Sequence, residues 1–136
     1  MTTESQLYRR IRPWLTPYGM VVRLENAVGS GMPDVLLAAN GQIVLIELKV
    51  IDGFCIHLQK TQFAFAASMS PHIRPRGYWF FCFKQGVVYC YTWQNMRDAV
   101  PTANAELTLN ISGLEPNFVL KSSEDVKHWL AHIAMT

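Results

Sequence analysis

The dipeptide Asn40-Gly41 lies between two runs rich in Val, Ile and Leu, from Asp34 to Ala39 and from Gln42 to Val50. Both residues tolerate the positive φ that a type I′ turn requires, so the stretch reads as a tight β-hairpin. A two-residue loop fixes the register. Ala39 stands opposite Gln42, and counting outward from the turn brings Asp34 opposite Glu47. Residues facing each other in an antiparallel pair hold their Cβ atoms about 4.5–5.5 Å apart, where two like charges are destabilising. Strand alternation puts Lys49 on the same side as Glu47, with Leu48 and Val50 on the other.

Two carboxylates and an amine at one end of a hairpin have a direct chemical use. A divalent cation offsets the repulsion, taking oxygen ligands while keeping waters for a substrate. Asp34 and Glu47 would be its ligands, with the backbone carbonyl of Leu48 as a further oxygen, and Lys49 would orient the attacking water or stabilise charge on a phosphodiester transition state. Any one of these residues alone reads as ordinary strand-end surface. The three together, in register and flanked by Val44-Leu45-Ile46 and Val50-Ile51, point to a site. A β-bulge in the hairpin would dissolve that register.

The remaining elements follow from periodicity. Leu7, Ile11, Trp14 and Leu15 recur at helical spacing over Glu4 to Leu15, with Thr3 and Gln6 as a capping box. Met20 to Leu24 reads as a strand, Leu58 to Ser70 as a helix ending before Pro71, and Gly77 to Phe83 and Val87 to Trp93 as a second hairpin around Lys84-Gln85-Gly86. Glu106 to Ile111 and Phe118 to Lys121 read as short strands. Ser122 or Ser123 caps a last helix with Val126, Trp129, Leu130 and Ile133 on one face. The run Tyr78, Trp79, Phe80, Phe81, Phe83 reads as buried core in preference to a base-stacking platform. No repeat or linker divides the 136 residues, so a single domain over 1–136 is expected.

Composition narrows the function classes. At 50% hydrophobic and 16% charged the chain is too apolar for disorder. A net charge of +2 permits a nucleic-acid partner without demanding one. Arg9, Arg10 and Arg12 form either a phosphate-contacting patch or a solvated surface. No signal-peptide core or membrane span is evident, so a soluble, cytoplasmic protein is expected. Cys55, Cys82 and Cys90 are odd in number and are read as reduced thiols. They and the four scattered His residues lack zinc-ligand spacing. Gly29-Ser30-Gly31 has no following Gly-Lys-Ser/Thr, so it is no P-loop and instead lets the backbone approach DNA or a partner subunit.

Gly31-Met32-Pro33-Asp34 followed by Glu47-Leu48-Lys49 resembles the PD-(D/E)xK signature of the restriction-endonuclease-like superfamily. With Gly29-Ser30 before it and Leu58 to Gln62 after it, the pattern is most similar to VRR-NUC-type and Holliday-junction-resolvase-like nucleases, including short phage-encoded ones, for which the host cytoplasm would be the setting. The resemblance covers roughly residues 4 to 93.

It implies an α/β fold with a central mixed β-sheet flanked by helices, dependence on Mg²⁺ or Mn²⁺, and hydrolysis of DNA by an endonuclease acting on branched substrates as a homodimer. It also implies a further acidic residue, for which Glu25 and the helix residue Glu4 compete, Glu25 slightly ahead. A Gln on the helix after the Glu-x-Lys strand is expected too, and Gln62 fits better than Gln59. Arg9, Arg10, Ser30 and Lys60 are candidate DNA contacts. The competing class is a non-catalytic nucleic-acid-binding module on the same fold, within a recombination or packaging assembly. A weaker third is an RNA-directed or modification-dependent enzyme.

Overall fold

A computed structural model describes residues 2–24, 31–99 and 106–134. Its elements in chain order are α1 (Glu4–Leu15), β1 (Met20–Arg23), β2 (Val35–Ala39), β3 (Gln42–Val50), β4 (Cys55–Gln59), α2 (Lys60–Met69), a 3₁₀ turn (Ser70–His72), β5 (Tyr78–Lys84), β6 (Val87–Thr92), α3 (Trp93–Ala99), β7 (Glu106–Asn110), β8 (Phe118–Leu120) and α4 (Ser123–Ala134). Six strands form one mixed sheet in the order β1-β2-β3-β5-β6-β8. All neighbours are antiparallel except β3 and β5, which run parallel because β4 and α2 carry the chain across between them.

The hairpin register is the one that the turn imposes. Ala39 pairs with Gln42 and Val35 with Ile46, while Asn40 and Gly41 have φ of 54° and 76°. β1 extends the sheet on the far side of β2. Thr3 and Gln6 form the expected capping box at α1, each satisfying the other's backbone N–H.

Side-chain alternation divides the interior in two. One face of the sheet offers Val35, Leu37, Val44, Ile46, Leu48, Trp79, Phe81 and Phe83 to the apolar stripes of α1 and α4. There Trp129 meets Trp79 and Phe81 edge to face, with centroids 5.5 and 5.1 Å apart. The other face offers Leu45, Tyr78, Phe80, Cys82 and Tyr91 to α2, α3 and β4. Every aromatic of the Tyr78 to Phe83 run is buried, as a core strand requires. Among the described residues no helix is long and apolar enough to cross a membrane, and the three cysteines are free thiols.

Three expectations are corrected. The helix read from Leu58 begins at Lys60, because Cys55 to Gln59 alternates between buried and exposed and pairs with β7 as a separate two-stranded sheet. Trp93 opens α3 instead of closing a strand, its ring packing on Phe63 at 5.0 Å. Asp34 lies one residue outside β2, where its backbone N–H still donates to the Ile46 carbonyl at 3.1 Å.

Candidate active site

The site lies where β2 ends and β3 continues alone. Leu45 and Ile51 donate their amides toward β5, to Gly77 and Phe83, so the alternate residues Ile46 and Leu48 turn their amide groups toward β2. The Leu48 N–H donates to Asp34 Oδ2 at 2.8 Å, which fixes that carboxylate at the strand's open edge. The Leu48 carbonyl projects to the same edge, since N–H and C=O of one strand residue point the same way.

Glu47 and Lys49 are deeply buried, at 0% and 5% exposure. Gln62, on the first turn of α2, ties them together. Its Nε2 donates to Glu47 Oε1 at 2.9 Å, and its Oε1 accepts from Lys49 Nζ at 2.8 Å and from the Gln59 backbone N–H at 2.9 Å. One amide thus orders an acid, an amine and the start of the helix that carries it. Glu4, at the first turn of α1, brings its carboxylate to 3.8 Å from Lys49 Nζ.

Burial and like charge set the electrostatics of this cluster. Glu47 has its pKa pushed up to about 10, by burial first and then by the Asp34 carboxylate, and the Lys49 ammonium offsets only part of this. Glu4 is also raised, mainly by burial. Glu47 Oε2 is buried and has no hydrogen-bond partner among the described residues. A buried carboxylate oxygen without a partner, facing a second carboxylate, is satisfied by a proton or by a cation. The residues present therefore fit a divalent metal ion, which Asp34, Glu47 and the Leu48 carbonyl would hold. Among the described residues no three His, Cys, Asp or Glu side chains gather into a closed metal cage. Two carboxylates and a carbonyl make an open site, suited to an ion that keeps waters.

The cleft over the site has a volume of about 370 Å³ and is lined by Arg23, Leu24, Gly31, Met32, Asp34, Gln59 and Gln62. Gly31 explains how the chain enters it. Its φ is +91°, and a Cβ there would stand 2.1 Å from the Thr61 carbonyl oxygen, so only glycine lets the loop before Asp34 press against the start of α2. A larger cavity of about 470 Å³ opens around Phe54, Tyr89, Tyr91 and Leu114, and neither the two acids nor Lys49 lines it.

The structure thus brings Asp34, Glu47, Lys49, Gln62 and Glu4 together. Glu25 and Ser30 lie outside the described residues. Lys60 is exposed at the first position of α2, beside Gln59 of the cleft. Arg9 is exposed on α1, and Arg10 lies over the Phe83 ring at 5.2 Å, on the sheet face opposite Glu47. The sequence reading missed Tyr78, placed with the core aromatics. Its hydroxyl is buried on the same face as Glu47 with no partner among the described residues, and the only signal was one phenol at the head of the aromatic run.

No protein-family model matches the sequence, and no curated protein matches it. Among solved structures, the fold is similar to that of Hjc from Archaeoglobus fulgidus, described as a Holliday junction resolvase from an archaeal hyperthermophile. The TM-score is 0.60 over 83% of this chain and 88% of that one, at 11% sequence identity. The chain shares with that structure its fold, a central mixed sheet flanked by helices.

Proposed function

We propose that this protein is a divalent-metal-dependent endonuclease that hydrolyses DNA phosphodiester bonds, structure-specific for branched DNA and akin to the VRR-NUC and Holliday-junction-resolvase-like nucleases. The observation that carries the reading is Oε2 of Glu47, buried without a donor among the described residues and set opposite Asp34, which lines a cleft of about 370 Å³ together with Gln62. The resolvase named for the similar fold supports the choice of DNA and of a branched substrate.

When bound, Mg²⁺ or Mn²⁺ supplies charge neutralisation at the phosphodiester and makes water a better nucleophile at neutral pH. Asp34 holds its carboxylate ready because the Leu48 N–H anchors one oxygen at the strand edge. Glu47 is oriented through Oε1 by Gln62, which leaves Oε2 toward Asp34. Lys49, steered by the same amide, presents its ammonium to the attacking water and to the charge that grows on the phosphate oxygens. Because Gln62 positions both residues through one amide, the acid and the amine are ordered relative to each other before substrate arrives. Glu4 balances the Lys49 charge from α1, and Glu25 remains a candidate for the additional acid.

A homodimer is part of the proposal, since two strands of a junction need two sites. Met20 and Ile43, exposed at 68% and 53%, flank Ala38 in one cross-strand row on the same sheet face as the site. That uncovered apolar row is the surface we assign to the second copy.

The test is incubation of labelled four-way junction, flap, linear duplex and single strand with the purified protein in Mg²⁺ or Mn²⁺. Cutting of the branched substrates is expected, and cutting that survives excess EDTA would rule out the mechanism. Glu47→Ala separates the classes. A nuclease loses cutting and keeps DNA binding, whereas a binding module has no cutting to lose.

A further inference from the structure

Tyr78 begins β5 directly beside Leu45 of β3, two positions before Phe80, the partner of Glu47. With parallel strands about 4.8 Å apart and a rise of about 3.3 Å per residue, the Tyr78 and Glu47 Cα atoms are roughly 8 Å apart on the diagonal. That is within reach of one phenol and one carboxylate extended toward each other. Both side chains lie on the face covered by α2, with Leu45 and Phe80.

The Tyr78 hydroxyl is fully buried and has no hydrogen-bond partner among the described residues, the same condition as Glu47 Oε2. A buried hydroxyl without a partner costs about 1–3 kcal/mol, so two orphaned groups of complementary type on one face call for a common explanation. The phenol is a donor. The carboxylate oxygen is an acceptor with lone pairs enough for a ligand bond and a hydrogen bond at once. The Tyr78 pKa is raised by burial and then by Glu47 and Asp34, which places its hydroxyl within the field of both acids.

We propose that Tyr78 is a positioning residue of the site, its hydroxyl donating through one bridging water to Oε2 of Glu47 and fixing the orientation in which that carboxylate binds a divalent cation. Gln62 secures one oxygen and Tyr78 the other, so the carboxylate cannot rotate. The proposal rests on the metal-dependent reading above and adds an outer group to it. Outer partners of this kind typically change metal affinity 10- to 100-fold when removed, on the order of magnitude seen across metal sites.

The experiment titrates Mn²⁺ into the full-length wild type, Tyr78→Phe and Leu45→Val by calorimetry, with thermal unfolding in EDTA alongside. Tyr78→Phe deletes only the hydroxyl, so the metal-free variant is expected to unfold no lower than wild type, while its Mn²⁺ dissociation constant rises about 10-fold. Leu45→Val disturbs packing at the same place and should leave Mn²⁺ affinity unchanged. Equal affinity in wild type and Tyr78→Phe overturns the proposal, and so does equal loss in both variants, which would mark a packing effect. A wild type that binds no Mn²⁺ defeats the metal reading itself, and the positioning role with it.

Discussion

Replacing Glu47 with Gln offers a test in which stability, not turnover, is read. The groups facing the Glu47 carboxylate are Asp34, Lys49, Glu4 and, across the strand, Tyr78. In the folded, metal-free protein its pKa stands at about 10 against an ordinary 4.5. The folded state therefore keeps a proton that the unfolded chain releases, and stability falls as pH rises from about 4.5 toward about 10. Below about pH 4.5 both states hold the proton and nothing is lost. At about pH 8 the span crossed is roughly 3.5 units, which at about 1.4 kcal/mol per unit bounds the cost at about 5 kcal/mol. Relaxation and water entry reduce this, and ~2–3 kcal/mol is the expected size.

Glutamine does not titrate. It keeps the acceptor that Gln62 uses and offers Asp34 an N–H where Glu47 offers a proton. In EDTA, Glu47→Gln should match wild type at about pH 5 and melt roughly 8–12 °C higher at about pH 8, given about 3–5 °C per kcal/mol for a chain of this size. Mg²⁺ at tenfold its dissociation constant should then return about 1.4 kcal/mol to the wild type and nothing to the variant. A melting gap that ignores pH, or a variant less stable than wild type at about pH 8, would refute the reasoning.

Other substitutions probe the rest of the site. Gln62→Ala leaves two buried polar groups short of a partner; it should cost about 2 kcal/mol in denaturant unfolding and at least ~100-fold in cutting rate, with DNA binding retained in gel shifts. Lys49→Met should lower the single-turnover rate by about 10²–10³ while calorimetry finds Mn²⁺ affinity changed only a few-fold. Gly31→Ala forces a Cβ against the Thr61 carbonyl at a positive φ; a loss of at least ~2 kcal/mol is expected, and a melting point equal to wild type would mean the loop has another way past α2.

What the sequence discloses is what is local. Asn40-Gly41 sets the register of β2 and β3 because a two-residue turn admits few backbone solutions, and the Asp34–Glu47 juxtaposition follows by counting. Thr3 and Gln6 mark the start of α1 for a similar reason. What depends on distant partners stays hidden. Leu58 and Gln59 read as a helix start because their partner strand lies about fifty residues further on, and only pairing with β7 makes Cys55 to Gln59 a strand. Gln62 is legible as a candidate from resemblance, yet its bridging of Glu47 and Lys49 depends on where β4 delivers α2. The approach of Glu4 and the burial of Tyr78 are set by packing of whole layers, on which spacing is silent.

The two-stranded ladder of β4 and β7 also governs when this molecule becomes competent. Gln62 hangs from a strand whose hydrogen bonds run to Glu106–Asn110, so a nascent chain lacking that segment holds every site residue without the scaffold that aims the amide. A fragment ending at residue 99 should show α2 opened to proteases that spare the whole protein. Assembly order thereby leaves the Gln62 amide unaimed until Glu106–Asn110 has been made.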